Sequence, residues 1–217
     1  MDIIAVSQHG AELHALVGRL AARPASGRRL VGIAGAPGAG KSTLAAALAR
    51  LIGPRAAVVP LDGFHFADIE LDRRGLRDRK GAPETFDAWG YAALLARLRG
   101  RPDHVVMAPG FERHLEQPLA GALPVGPEVD VVVTEGNYLL LDRPEWDAGR
   151  RELDEVWFIR TDDALRTERL VARHAAFGKS LPAAEAWVDR VDQANARLVE
   201  ATEHRADLLL DLTAWRA

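Results

Sequence analysis

The sequence has no cysteine, and its 217 residues include only three lysines, two methionines and two tyrosines. Without cysteine there is no disulfide, no thiolate metal site and no cysteine nucleophile. No apolar run approaches the ~20 residues that cross a membrane, and the N-terminus lacks the basic start and apolar core of a signal peptide. We therefore expect a cytoplasmic protein with no membrane partner.

The charges of the chain are close to balanced. Lys and Arg number 28 against 31 Asp and Glu, a formal net charge of −3. This balance gives no reason to expect nucleic-acid binding. Apolar residues make up 48% of the chain, which excludes a disordered polypeptide. The length suits one large domain, and we predict a single domain over residues 1–217.

Short apolar runs alternate with amphipathic stretches, a pattern typical of parallel strands covered by helices. Leu13, Leu16, Val17 and Leu20 share one helical face, so residues 1–28 are predicted to form a helix and a loop. Candidate strands are the runs at residues 30–34, 56–61, 104–108, 129–134, 155–159 and 208–210. Residues 117–127 contain three prolines and are predicted to be irregular. We expect an α/β fold of three layers, α/β/α, around a mostly parallel five-stranded sheet.

A glycine-rich loop follows the first of these runs. Residues 35–42 read GAPGAGKS and fit the pattern G-x-x-x-x-G-K-[ST]. Between a strand and a helix, the backbone N–H groups of such a loop surround a phosphate at the positive end of the helix dipole. Lys41 would neutralise the β- and γ-phosphates, and Ser42 would ligate Mg²⁺. We predict nucleotide binding by Gly35, Ala36, Pro37, Gly38, Ala39, Gly40, Lys41, Ser42 and Thr43.

Motifs that are missing narrow the class of nucleotide-binding protein. The sequence has no N-K-x-D string, which a GTPase uses to read guanine, and no L-S-G-G-Q string of an ABC-type ATPase. A motor or helicase is also unexpected at this length. A small kinase and a regulatory ATP-binding protein remain.

Two acidic residues follow candidate strands that should flank the phosphate loop. Asp62 comes directly after residues 56–61, and Glu135 directly after residues 129–134. Ligands of open α/β sheets bind beyond the carboxyl ends of the strands. A kinase needs one carboxylate to accept the proton of the acceptor hydroxyl and one acid to hold Mg²⁺. We assign Asp62 to the first role and Glu135 to the second.

Residues 162–177 are predicted to form a charged helix with Arg166, Arg169 and Arg173 on one face. Such a face either binds phosphates or lies in solvent, paired with nearby aspartates. We predict that Arg169 and Arg173 neutralise the charge of the transferring phosphoryl group. A glycine after the helix can act as a hinge, so residues 162–180 are predicted to form a lid that excludes water.

Several strings resemble, in order and spacing, the pantothenate kinase, uridine kinase and phosphoribulokinase group of P-loop kinases. The resemblance runs from about Leu30 to Asp211, and the chain length is similar to that of the small bacterial nucleoside/nucleotide kinase-like members, the fructose transport system kinase type. The strings that carry it are LDGFH at 61–65, RGLRDRKGAPETFD at 74–87, AP at 108–109 and EGN at 135–137, together with the arginine spacing of the lid helix.

The resemblance implies the P-loop NTPase fold, ATP as phosphoryl donor and Mg²⁺ as cofactor. It implies that Asp62 is the general base and that Lys41 and Arg173 are cations at the transition state. It implies Ser42 and Glu135 as the metal-binding residues. It also places residues 80–87 on the substrate side and residues 195–206 near the adenine.

The acceptor is less well defined, because this sequence departs from the family where substrates bind. Residues 111–114 read FERH where pantothenate kinases carry Tyr-Ser-His, and His174 stands where uridine kinases carry Asp. Arg113 indicates a phosphorylated or carboxylated acceptor, or else a salt bridge with Glu112 or Glu116. Trp187 is predicted to be a packing residue of its helix. We expect acceptor contacts from His65, Lys80, Phe111, Arg113, His114 and Asn137.

These observations predict an ATP-dependent kinase that transfers the γ-phosphoryl group to a hydroxyl of a small metabolite. The acceptor would be a sugar, a nucleoside or a pantothenate-like acid. The alternative is an ATP-binding regulatory or transport-accessory protein with little phosphotransfer. The expected partner is the small-molecule acceptor, with the chain acting alone or as a homodimer.

Overall fold

The computed structural model describes residues 3–7, 10–21 and 27–215, and most of their strands belong to one parallel sheet. The sheet has the strand order β1-β8-β7-β2-β6-β3, and every neighbouring pair is parallel. Two further strands, β4 and β5, pair with each other as an antiparallel hairpin. The strands are β1 (Ile3–Ala5), β2 (Arg29–Gly35), β3 (Ala56–Pro60), β4 (Val106–Glu112), β5 (Gln117–Val125), β6 (Val131–Glu135), β7 (Glu155–Arg160) and β8 (Leu208–Asp211).

Helices connect the strands and cover both faces of the sheet. Short 3₁₀ turns at Leu61–Phe64, Arg77–Arg79, Pro83–Thr85 and Glu203–Arg205 and a π-helical segment at Val188–Asp192 complete the connections. Among the described residues, no helix has both the length and the apolar character needed to cross a membrane. The α-helices are α1 (Ala11–Ala21), α2 (Lys41–Ile52), α3 (Asp68–Arg74), α4 (Ala88–Arg99), α5 (Pro144–Arg150), α6 (Asp163–Ala176), α7 (Leu181–Trp187) and α8 (Gln193–Glu200).

The central strand β2 supplies two apolar cores, one on each face of the sheet. Its side chains alternate in direction, as in any β-strand. Leu30 packs in the core that contains α4 and the Trp146 side chain of α5, whereas Val31 and Ile33 pack in the core that contains α1 and α2. Burial on both faces explains why the strands of this parallel sheet are continuous apolar runs.

The α/β fold with a mostly parallel sheet between helices is confirmed. The sheet has six strands instead of the five expected, because the N-terminal segment Ile3–Ala5 pairs with β8 at the edge. The segment 1–28, predicted as a helix and a loop, therefore holds a strand as well as helix α1. The loop predicted after the helix falls mostly on residues 22–26, which lie outside the described ranges.

The middle of the chain differs from its sequence pattern in two ways. The candidate strand at residues 104–108 is present within Val106–Glu112, but it pairs with Gln117–Val125 in the separate hairpin and not with the main sheet. Residues 117–127 were expected to be irregular, yet most of them form strand β5. Pro118 and Pro124 fit in β5 because a two-stranded hairpin leaves one edge of each strand unpaired, where a missing N–H costs nothing.

Candidate active site

The phosphate loop connects the end of β2 to the start of α2, as the sequence predicts. Gly38 has φ +79°, a left-handed conformation that favours glycine. A Cβ at this position would lie 2.8 Å from the carbonyl oxygen of Arg166, so the backbone of α6 closely approaches the loop. Because α2 begins at Lys41, its free N–H groups point toward the loop. The geometry fits a bound phosphate chain.

Lys41 is buried beneath the loop. Its Nζ donates a hydrogen bond to the carbonyl oxygen of Ala36 over 3.0 Å. Burial lowers the pKa of Lys41 to about 8, and the nearby carboxylates of Glu135 and Asp62 oppose this shift. The loop therefore holds a desolvated ammonium group, which a phosphate would stabilise.

Ser42 and Glu135 form a second polar contact at the same edge. The Ser42 hydroxyl donates to Glu135 Oε1 over 3.0 Å. Burial raises the pKa of Glu135 to about 6, and the negative charge of Asp62 adds to this effect. A hydroxyl beside a carboxylate offers the hard oxygen ligands that Mg²⁺ prefers.

Asp62 lies in the 3₁₀ turn Leu61–Phe64 that follows β3. Strand β3 pairs with β6 in a register that puts Pro60 opposite Glu135, which brings the two acids together. Arg113, just after β4, lies with its Nη2 3.5 Å from Asp62 Oδ2. A Cβ at Gly63 would lie 2.4 Å from the carbonyl oxygen of Pro109, so glycine allows the hairpin to pack directly on this turn.

His65 follows the same turn and is held as a neutral ring. Its Nδ1 lies 2.8 Å from the carbonyl oxygen of Asp62, and because a carbonyl only accepts, Nδ1 carries the proton. Burial lowers the pKa of His65, which leaves Nε2 as an acceptor at pH 7. The imidazole lies between the rings of Phe86, at 3.9 Å, and Phe111, at 5.0 Å.

A cavity of about 610 Å³ opens from the phosphate loop toward the hairpin. Residues from the glycine loop, the strand ends, the hairpin and α6 meet in it, although they are far apart in the sequence. The predicted site residues that line it are Pro37, Gly38, Lys41, Ser42, Asp62, His65, Lys80, Phe111, Arg113, Glu135, Asn137 and Arg173.

Two of the residues predicted to act in catalysis or to bind the acceptor do not line this cavity, and neither do Gly35, Ala36, Ala39, Gly40 and Thr43 of the predicted nucleotide site. His114 packs its ring against Phe177 at a centroid distance of 5.6 Å. Arg169 donates through Nη2 to the carbonyl oxygen of Trp215 over 3.0 Å. Lys80 does line the cavity, but its Nζ already donates to Asp68 Oδ1 over 2.6 Å and to the carbonyl oxygen of Glu116.

The three arginines of α6 occupy three different environments. Arg166 is almost fully buried and donates to the carbonyl oxygen of Pro37 over 3.0 Å, as well as to Asp163 and Gln193. These hydrogen bonds therefore hold α6 against the phosphate loop. Arg173, two turns later, lines the cavity and lies close enough to Lys41 to lower its pKa.

Sequence reasoning missed several residues of the cavity. Phe177, Lys179 and Trp187 line it from the segment after α6. The sequence predicts Trp187 only as a packing residue of its helix. His174 and Asp192 also line it and are joined by a 2.9 Å contact between Nε2 and Oδ2. One signal for Lys179 was present in the sequence, namely the scarcity of lysine.

A second cavity of about 490 Å³ lies on the other side of the phosphate loop. Ala36 and Ala39 of the loop line it, together with Thr161 at the end of β7. Glu200 and Glu203 close it from the C-terminal segment. Both glutamates belong to residues 195–206, the stretch that the resemblance places near the adenine.

No protein-family model matches the chain, but individual proteins and solved structures are similar to it over most of its length. Over 194 residues it is 33% identical to "Putative uridine kinase C227.14" of Schizosaccharomyces pombe, covering 84% of this chain and 83% of that protein. Over 120 residues it is 32% identical to a pantothenate kinase of Mycolicibacterium vanbaalenii, covering 53% of this chain and 38% of that protein. The crystal structure described as a "putative fructose transport system kinase" from Silicibacter sp. TM1040 is 41% identical, with a TM-score of 0.80 over 93% of this chain and 97% of that one.

The first and third of these matches cover most of both chains. They confirm the resemblance carried by the sequence motifs, and the solved structure also confirms the fold. The chain belongs to the P-loop kinases related to uridine kinase and pantothenate kinase, and it is a phosphotransferase that acts on a hydroxyl group of a small molecule.

Proposed function

We propose that the protein transfers the γ-phosphoryl group of ATP to a hydroxyl of a sugar, a nucleoside or a pantothenate-like acid, with Asp62 as the general base. The observation that carries this proposal is that Asp62, Lys41 and the Ser42–Glu135 pair face one cavity large enough for a small metabolite. A nucleotide-binding protein without an acceptor needs only the loop. This argues against a regulatory or transport-accessory role.

The nucleotide would lie across the loop, with its phosphates over Lys41 and its nucleoside in the cavity beside Thr161. Ser42 and Glu135 would hold Mg²⁺, and their hydroxyl–carboxylate pairing fits a hard cation that also binds phosphate oxygens. When bound, the metal ion supplies positive charge to the β- and γ-phosphates. Glu135 must be ionised in this role.

The acceptor hydroxyl would lie between Asp62 and the γ-phosphate. Its oxygen forms the new bond to the γ-phosphorus, while the bond from that phosphorus to the β–γ bridging oxygen breaks and ADP leaves. Asp62 takes the hydroxyl proton. Lys41 and Arg173 stabilise the charge that spreads over the transferring group. Both Asn137 and His65 line the cavity. Asn137 could donate or accept hydrogen bonds with other polar groups of the acceptor, and the neutral Nε2 of His65 could accept one.

Replacement of Asp62 tests the proposal. In a coupled assay of ADP release across a panel of sugars, nucleosides and hydroxy acids, at least one compound is expected to stimulate the wild-type protein. Asp62→Asn should lower kcat with that compound by about 10²- to 10⁴-fold, because the hydroxyl proton has no acceptor. ATP binding, measured by calorimetry, should persist.

The matched control is Asp78→Asn, which changes an exposed aspartate at the rim of the same cavity. It should leave kcat within a factor of about two. Wild-type turnover by Asp62→Asn would refute the assignment of the base. If no compound stimulates ADP release, the regulatory role is favoured.

A further inference from the structure

The three lysines of the chain all line one cavity. Lys41, Lys80 and Lys179 make up three of the six basic side chains around the 610 Å³ cavity, although only three of the 28 basic residues in the sequence are lysines. Elsewhere the chain uses arginine. A compact ammonium group and a planar guanidinium bind ligands differently, so each lysine of this cavity is a candidate for contact with a compact anionic group.

Two of these lysines already have partners. Lys41 lies under the phosphate loop, and Lys80 is bonded to Asp68 and to a backbone carbonyl. Lys179 differs, since it is half-buried and its Nζ lies 4.8 Å above the ring of Trp187. No hydrogen bond or ion pair joins its ammonium group to another residue of the described ranges. A partly desolvated ammonium group with only an aromatic face beside it lacks an anion.

The acidic residues on this side of the cavity do not supply that anion. Asp68 is bonded to Lys80 and Arg77, and Asp192 is bonded to His174. Asp78 and Glu116 also line the cavity but are exposed, so their charges are solvated. On this side of the cavity, the half-buried charge without an opposite charge as its partner is therefore the positive charge of Lys179.

A second cation, Arg113, lines the same cavity as Lys179. The hairpin and the segment after α6 touch through His114 and Phe177. Arg113 precedes His114 and Lys179 follows Phe177 by two residues, so the two cations come from the two segments that meet at this contact, and both line the cavity. Arg113 is also half-buried, and its one ion pair among the described residues is the long 3.5 Å contact with Asp62. A ligand in the cavity would meet both cations.

We infer that the acceptor carries an anionic group, a carboxylate or a phosphate ester, and that Lys179 binds it together with Arg113. The inference rests on the proposed function and deepens it, since it divides the acceptor classes left open there. An anionic acceptor is expected to bind with its hydroxyl toward Asp62 and its charge toward the junction of the hairpin and α6. Neutral sugars and nucleosides would leave Lys179 without an anionic partner and Arg113 with only its long contact to Asp62.

Matched pairs of compounds test this inference by calorimetry on the full chain loaded with MgADP. The pairs are D-glycerate with glycerol, pantothenate with pantothenol, and fructose 1-phosphate with fructose. In at least one pair the anion should bind at least ten times more tightly than its neutral counterpart. The pair that responds distinguishes a carboxylate from a phosphate.

Variants of Lys179 complete the test. Lys179→Met should weaken binding of the preferred anion by about 10- to 100-fold, the range for a lost charged hydrogen bond, and Lys179→Arg should restore part of it. Arg190→Met is the matched control, because Arg190 lies 5.6 Å from the same Trp187 ring but outside the cavity lining. It should bind the anion as the wild type does.

Several outcomes would overturn the inference. They are equal binding of anionic and neutral partners in every pair, equal weakening of both by Lys179→Met, and an effect of Lys179→Met on nucleotide affinity alone. Turnover of the same compounds tests the kinase proposal separately. An anion that binds through Lys179 but is not phosphorylated supports the inference and counts against the kinase proposal. Phosphorylation of neutral compounds alone supports the kinase proposal and counts against the inference.

Discussion

At the scale of single residues, the site holds charges that the folded chain would be more stable without. Glu135 is buried, and its raised pKa means that its ionised form is less favourable in the folded state than in the unfolded state. Above pH 6 this cost is fully present, and below about pH 4.5, the ordinary value, it disappears. In the proposed metal site this carboxylate would hold Mg²⁺, so its cost would be a trade of stability for function.

We therefore expect Glu135→Gln to stabilise the ligand-free protein while it abolishes phosphotransfer. The pKa shift from 4.5 to about 6 corresponds to about 2 kcal/mol in the free energy of unfolding at pH 8. Urea denaturation at pH 8 and at pH 5 measures it, and the gain should be smaller at pH 5. Glu168→Gln, which changes an exposed glutamate of α6, should stay within about 0.5 kcal/mol of the wild type. Equal gains in the free energy of unfolding at both pH values would contradict the explanation that the gain comes from removing the buried charge of Glu135.

Residues that act through local sequence were predictable, and residues that act through distant contacts were not. The phosphate loop and the acids at the carboxyl ends of β3 and β6 follow from short patterns, because strand ends and glycine turns are local features. The different roles of the arginines on this face of α6 could not be predicted from such patterns. Arg169 and Arg173 differ only by one helical turn, and contacts with Trp215 and with the cavity, both distant in sequence, separate them.

At the scale of elements, Arg166 joins α6 to the phosphate loop. Its guanidinium is buried and bonded to the carbonyl oxygen of Pro37, to Asp163 and to Gln193. A buried arginine with several acceptors fixes an orientation, because its planar fork satisfies several acceptors only in one arrangement. The role of Arg166 is thus to position the loop and α6.

Arg166→Met should destabilise the fold and loosen the nucleotide site. Loss of the guanidinium leaves the Pro37 carbonyl without this donor, so we expect a loss of about 2–4 kcal/mol in the free energy of unfolding and a higher KM for ATP. Thermal unfolding and steady-state kinetics measure both. Arg197→Met, at an exposed position of α8, serves as control. Unchanged stability with a large fall in kcat would instead assign Arg166 to the transition state.

The elements that the sequence did not reveal depend on pairing between distant segments. Strand β1 is three residues long and pairs with β8 at the opposite end of the chain. Strand β5 contains prolines and an exposed face, so it lacks the continuous apolar run of a buried strand. Helix α6, by contrast, has a clear period of apolar and charged residues, and the expected helix is present.

At the scale of the whole molecule, the predicted lid over residues 162–180 divides into two parts. The first half of α6 is fixed to the phosphate loop by Arg166 and by the buried Leu170. The second half ends at Ala176 and is followed by the exposed Phe177, and from there to Trp187 the segment borders the cavity. A part bound to the loop by a buried guanidinium cannot open without breaking those bonds. Any closure on the acceptor must therefore come from the later part.

Hydrogen exchange measured by mass spectrometry tests this division. Addition of MgADP and a bound acceptor should slow amide exchange by about tenfold or more over residues 173–187, because closure buries backbone that is exposed in the open state. Residues 163–170 should change little, since Arg166 already holds them, and β2 and β6 serve as internal references. Uniform protection along residues 162–180 would mean that the lid moves as one body, and unchanged exchange would mean that it does not close.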